Sequence, residues 1–162
     1  MDNQRIIAAG FVGGLVAAAM NSIPILNFIN CFCCAGIMLG GAVALVYYDR
    51  SFTVREYINP ATAITIGITT GLFGAFISLG IDYMIYLNFG HWEIEFMYDI
   101  LEAMEEVPSA LEEMIYELEQ ELEGGFIWGS ILFRNLLLMP LFCLIGALII
   151  RVFINKNREE SI

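Results

Sequence analysis

Basic charge is what this 162-residue sequence lacks most. Seven Lys and Arg stand against 18 Asp and Glu, and charged residues of either sign make up only 15% of the chain. Soluble domains average about 25%. With a formal net charge of −11, nucleic acid is not expected as a partner. Histidine occurs once, as His91, and no cysteine lies between Cys34 and Cys143. There is no nucleotide-binding loop, no nucleophile–base pair and no metalloprotease motif, so an enzyme is disfavoured and no cofactor is called for.

What fills the chain instead is apolar: 59% of residues are hydrophobic. They fall in four blocks, about 4–22, 26–48, 61–88 and 126–154. Each is long enough for the roughly 20 helical residues that cross a bilayer. The expected fold class is therefore all-α, a single integral membrane domain of four transmembrane helices. Arg5 followed by an apolar run ending in Ala17-Ala18-Ala19 has the outline of a signal peptide. A second apolar block follows it rather than a hydrophilic start, which argues for a retained span. Asn21, Ser22 and Pro24 supply a turn, so the first two blocks read as two spans and not one re-entrant hairpin.

Cations near span ends set orientation. Arg5, Arg50, Arg55, Arg151, Lys156 and Arg158 all fall on one side if both termini and the 49–60 loop are cytoplasmic. Tyr47 and Tyr48 then sit at the inner boundary, and Trp92 and Trp128 bracket the outer segment, as interfacial aromatics do.

The outer segment, 92–125, holds 12 carboxylates and no Lys or Arg. Phe96, Met97, Ile100, Leu101 and Met104, then Leu111, Met114, Ile115, Leu118 and Leu122, recur at helical spacing. Pro108 interrupts them, and Ser109 with Glu112 has the form of a capping box. Two amphipathic helices over about 92–106 and 109–123 are expected, forming an acidic extracytoplasmic cap. An anionic face is repelled by anionic lipid, so packing on the bundle, on itself or on a second copy is expected. The densest pairs, Glu105-Glu106 and Glu112-Glu113, have two readings: a cation-gathering vestibule or a solvated helix face. No EF-hand spacing is present, and no metal site is assigned.

Within the spans, Gly10, Gly14, Ala17 and Ala18, then Gly36, Gly40 and Gly41, then Gly67, Gly71, Gly74, Ala75 and Ser78 read as packing seams. Aligning Gly10 with Gly67 also aligns Gly14 with Gly71, which hints at a duplicated hairpin. Asp82 and Arg134 are charges inside apolar blocks, and such residues face the bundle interior. Their depths from the outer block ends, roughly 9 and 12 Å at 1.5 Å per residue, predict an ion pair. Asn135 or Ser130 is expected to support it. The pair has two readings, a lock between the third and fourth helices or an element of an ion path.

On a helix starting near residue 26, Asn27, Asn30, Cys31 and Cys34 form one polar and thiol stripe, with Cys33 pointing elsewhere. Asn21 and Ser22 are the expected partners of the asparagines. The thiols have three readings: small buried hydrophobes, a reversible Cys31–Cys34 dithiol, or a soft-metal site. Cys-x-Cys-Cys lacks zinc-ribbon spacing, and Cys143 is expected too deep to join it.

The run GGLVAAAMNSIPILNFINCFCCAGIMLGGAVALVYYDR resembles a widespread set of small prokaryotic four-span membrane proteins. These carry a P-x-L-N-x-x-N-C-x-C-C stretch leading into a glycine-rich helix. The resemblance implies the architecture and a prokaryotic cytoplasmic membrane, and it assigns no activity. The function expected is a structural or accessory membrane component, in contact with lipid and with a second copy or another membrane protein. The alternatives are a small oligomeric channel or carrier, and a thiol or metal sensor.

Overall fold

The computed structural model describes residues 3–23, 26, 30, 34–52, 57–90, 116 and 127–159. Among these residues the protein is all-helical. Its four helices are α1 (Asn3–Ser22), α2 (Ala35–Arg50), α3 (Pro60–Phe89) and α4 (Ile127–Glu159). The acidic segment with Glu105, Glu106, Glu112 and Glu113, and the positions of Asn27 and Cys31, lie outside the described residues.

Among the described residues three helical stretches are long and apolar enough to cross a membrane: Asn3–Ser22, Pro60–Asn88 and Gly129–Arg158, with mean hydropathy 1.4, 1.8 and 2.6. The second helix is shorter than its apolar block. A continuous helix starting near residue 26 was expected; Leu26 is itself helical, but Cys34 takes the left-handed conformation (φ 57°) and α2 begins at Ala35. An L-residue with positive φ cannot continue an α-helix, so the apolar run is broken there. At 16 residues, α2 rises about 24 Å.

Local chemistry sets the other ends. Asn59 caps α3, its side chain accepting the Ala61 N–H at 3.1 Å, and Pro60 takes the first turn, where a missing N–H costs nothing. Gly90 closes α3 with positive φ, its N–H bonding the Tyr86 carbonyl at 2.8 Å. Thr65, Thr69 and Thr70 return their hydroxyls to the carbonyl four residues back.

Helix α1 packs on α2 and α3, and α4 packs on the same two. Glycine brings the backbones together. A Cβ on Gly13 or Gly40 would strike the facing helix of the α1–α2 pair, and one on Gly10 or Gly14 would strike Thr69 or Phe73 of α3. On α4, Gly146 lies against the Met38 carbonyl, while the Cys143 carbonyl lies against Gly41. Gly67 and Gly71 meet Leu144 and Pro140. The expected seams are thus the actual ones, which is how helices associate where burial of apolar surface gives no drive. The hint of a duplicated hairpin does not carry through. Gly10 faces α3, whereas its aligned partner Gly67 faces α4.

Side-chain distribution is inverted relative to a water-soluble bundle. Thr70, Ser78, Asn135 and Asn155 are buried, while Phe11, Phe76, Met84, Phe133, Leu137 and Phe153 face outward. Two apolar clusters stack along the axis. One gathers Ile6, Leu45, Tyr48, Ile58 and Ile66 near the α2–α3 connection, here termed the loop end. The other gathers Ala17, Ile37, Ala75, Met139 and Cys143 toward the far end.

Candidate functional site

Polar side chains concentrate at the two ends of the bundle. At the far end the centre is the fully buried Ser78 hydroxyl. It accepts from Asn21 Nδ2 at 2.9 Å and from Asn135 Nδ2 at 3.4 Å. Ser22 Oγ lies 2.7 Å away and Asp82 Oδ2 3.4 Å away. A hydroxyl has one proton and two lone pairs. With both amides donating, the Ser78 proton goes either to Ser22 or to Asp82. When it goes to Asp82, the Ser22 proton can turn to the Ser78 carbonyl at 3.4 Å. Helices α1, α3 and α4 thus meet in one network around a carboxylate.

Sequence reasoning placed Asp82 and Arg134 together, and the structure brings them into electrostatic range without contact. Among the described residues the close ion pair joins Arg158 to Asp49 instead. The reason is the face of α4. Asn135 is 3% exposed and aims at α3, while Arg134, about 100° round the helix, is exposed. Asn135, expected as support, makes the contact itself. Asn21 and Ser22, expected to serve the 27–34 stripe, bond Ser78.

Asn30 does tie α1 to α2. Its Nδ2 donates to the Met20 carbonyl at 3.0 Å and its Oδ1 accepts the Ile37 N–H at 3.2 Å. Its side chain therefore does the capping that Cys34 does not, since the Cys34 side chain makes no cap bond. The Cys34 N–H bonds the Asn30 carbonyl at 2.8 Å, and the other members of the expected stripe, Asn27 and Cys31, lie outside the described residues. Cys143 was expected too deep to meet the cysteine stretch. Cys34 packs against the far apolar cluster, of which Cys143 is one member, and the Cys143 thiol donates to the Ile37 carbonyl at 3.4 Å. Neither cysteine is in a disulfide.

The loop end escaped sequence reasoning. Asn155, 4% exposed, grips the Ile58 backbone from both sides: Oδ1 accepts its N–H at 3.1 Å and Nδ2 donates to its carbonyl at 3.1 Å. Arg151 Nε adds a second donor to that carbonyl at 2.8 Å. Arg158 pairs with Asp49 at the end of α2. Arg5 donates to the Ser51 carbonyl at 3.0 Å, and its guanidinium lies 4.4 Å from the centroid of the Phe52 ring, which stacks edge-on with Tyr48. The signal was present. Arg151, Asn155 and Arg158 stand at i, i+4 and i+7, one face of a helix.

The two polar ends are spaced regularly. Ile58 to Ser78 on one side and Asn155 to Asn135 on the other are each twenty residues. On the α4 side all twenty are helical and rise about 30 Å, the thickness of a bilayer's hydrocarbon core; on the α3 side the helix starts at Pro60.

Comparison with protein families, with characterised proteins and with solved structures finds no match for this chain.

Proposed function

We propose that this is a four-span protein of a prokaryotic cytoplasmic membrane, serving as a structural or accessory component that associates with itself or with another membrane protein. The observation that carries the reading is the packing. Glycine-mediated backbone contacts run along the interfaces α1–α2, α1–α3, α2–α4 and α3–α4. The buried polar groups at both ends are bonded to one another. A bundle filled this way is a scaffold. Helix α2, which rises about 24 Å, counts as the fourth span.

In this reading the loop end is cytoplasmic, which places Arg5, Arg50, Arg151, Lys156 and Arg158 at the inner interface and both termini inside. The 30 Å spacing then puts the Ser78 cluster at the outer edge of the hydrocarbon. Asp82 and Arg134 belong to the interface rather than to depths of about 9 and 12 Å. The acidic cap is extracytoplasmic. No catalytic step is assigned to any residue.

A second reading, a small oligomeric channel or carrier, draws on the Asp82 carboxylate beside two serine hydroxyls. Reconstitution separates the two. A scaffold yields proteoliposomes no leakier to Na⁺ or K⁺ than empty vesicles, and gentle solubilisation recovers a defined oligomer or a stoichiometric membrane partner. Cation flux that Asp82→Asn alters would overturn the scaffold reading in favour of the channel.

A further inference from the structure

Helix α4 is built as two arms with unequal anchorage, and a proline separates them. Pro140 stands inside the helix. It has no N–H to give the Leu136 carbonyl, and its ring presses on that turn, so the rod is weakest here. From the fulcrum downward, four residues in the stretch 139–148 are buried: Met139 at the fulcrum itself, then Cys143, Gly146 and Ala147. Further on, Arg151 and Asn155 hold the Ile58 backbone and Arg158 holds Asp49. Above it, Asn135 is the one buried residue of 129–138. Its Ser78 contact, at 3.4 Å, is the longest of the interhelical bonds to that hydroxyl.

The proline is itself clamped. Gly71 lies so close that a Cβ there would overlap the Pro140 nitrogen and Cα, and one turn down Gly67 meets Leu144 in the same way. The fulcrum is thus clamped backbone to backbone against α3, whereas among the described residues the arm above it buries only Asn135.

We propose that α4 pivots at the Pro140–Gly71 contact. Its outer arm, 129–138, moves away from α3 while the inner arm stays fixed, which withdraws Asn135 from Ser78 and opens the Ser78–Asp82 network to the outer solution. Asn21 and Ser22 stay with Ser78, because α1 and α3 move as one body through the Gly10 and Gly14 contacts. Ten residues make a lever of about 15 Å, so a swing of about 20° carries its tip about 5 Å.

The test is a pair of distance distributions on the full chain in lipid nanodiscs, with genetically encoded spin-label residues so that the native cysteines remain. One pair replaces Tyr83 and Leu137, across the outer arm; the other replaces Ile64 and Ile149, across the inner arm. All four positions are exposed. The expected result is a single narrow distribution for the inner pair and a broad or two-component one for the outer pair, with components about 5 Å apart. Pro140→Ala, which restores the missing helical bond, is expected to reduce the outer pair to one component and leave the inner pair unchanged. An outer pair as narrow as the inner one in the unaltered protein overturns the pivot. So does an outer breadth that survives Pro140→Ala.

Discussion

The two ends of the bundle hold α4 by different chemistry. At the loop end its side chains bind main chain: Asn155 takes both polar groups of Ile58, and Arg151 shares the carbonyl. At the far end side chain meets side chain, and α4 contributes Asn135 to a hydroxyl already bonded from α1. A peptide group just ahead of a capped helix has almost no freedom, so three hydrogen bonds to it fix position. A serine hydroxyl rotates and can satisfy several partners in turn. The first arrangement locks a helix, whereas the second tolerates its departure.

The largest effect that tests this contrast is expected at Asn155. Replacing it by Leu keeps volume but leaves the buried Ile58 N–H without its acceptor and its carbonyl with Arg151 alone. An unsatisfied buried group costs about 1–3 kcal/mol, so a loss of about 2–3 kcal/mol is expected for the pair of bonds. Thermal unfolding in nanodiscs measures it. A variant as stable as the parent would mean that the loop end is not what holds α4.

Ser78→Ala removes the far hub and is expected to cost less, about 1–2 kcal/mol in the same assay. It strips a partner from Asn21, Ser22, Asn135 and Asp82 at once, yet Asn21 and Ser22 stand at the end of α1, where water can take over. Interhelical hydrogen bonds in membrane proteins average only about 0.6 kcal/mol for the same reason: alternatives are at hand. If Ser78→Ala proves costlier than Asn155→Leu, the ranking of the two ends is reversed, and the pivot at Pro140 loses its rationale.

Much of this was legible in the sequence. Apolar blocks of span length, glycines at helical spacing and isolated polar residues within them are short-range signals, and they located three of the four helices closely and the packing seams. Two kinds of feature were not. The αL turn at Cys34 is one, because cysteine has no particular tendency toward positive φ and the apolar run continues on both sides. Longer-range pairing is the other. Asn155 finds Ile58 across 97 positions, and no periodicity links them. The depth count that joined Asp82 to Arg134 assumed helices ending where apolar blocks end. Helices α3 and α4 instead run past the Ser78 level, to Phe89 and from Ile127, and which face of α4 turns inward was decided by Asn135.

The smallest expected effect sharpens that last point. Among the described residues, Asp49 and Arg158 join two helices in direct contact, each side chain 15% exposed, and Asp82 and Arg134 interact without contact. Coupling energies from double-mutant cycles separate them, because the cycle cancels what each substitution does alone. Asp49→Asn with Arg158→Gln is expected to give about 1 kcal/mol, at the upper end for a partly exposed pair. Asp82→Asn with Arg134→Gln is expected to give less than about 0.5 kcal/mol, and that residue should vanish as salt is raised, since charges held apart at an aqueous boundary are screened. The Asp82→Asn change alone still exchanges the charged acceptor of the Ser78 hydroxyl for a weaker neutral one, so a single-mutant cost with no coupling is the signature of a carboxylate held by hydroxyls. Coupling at Asp82–Arg134 equal to that at Asp49–Arg158 would mean that the two side chains do meet in the membrane. The outer arm of α4 would then be fastened by charge as firmly as the inner one.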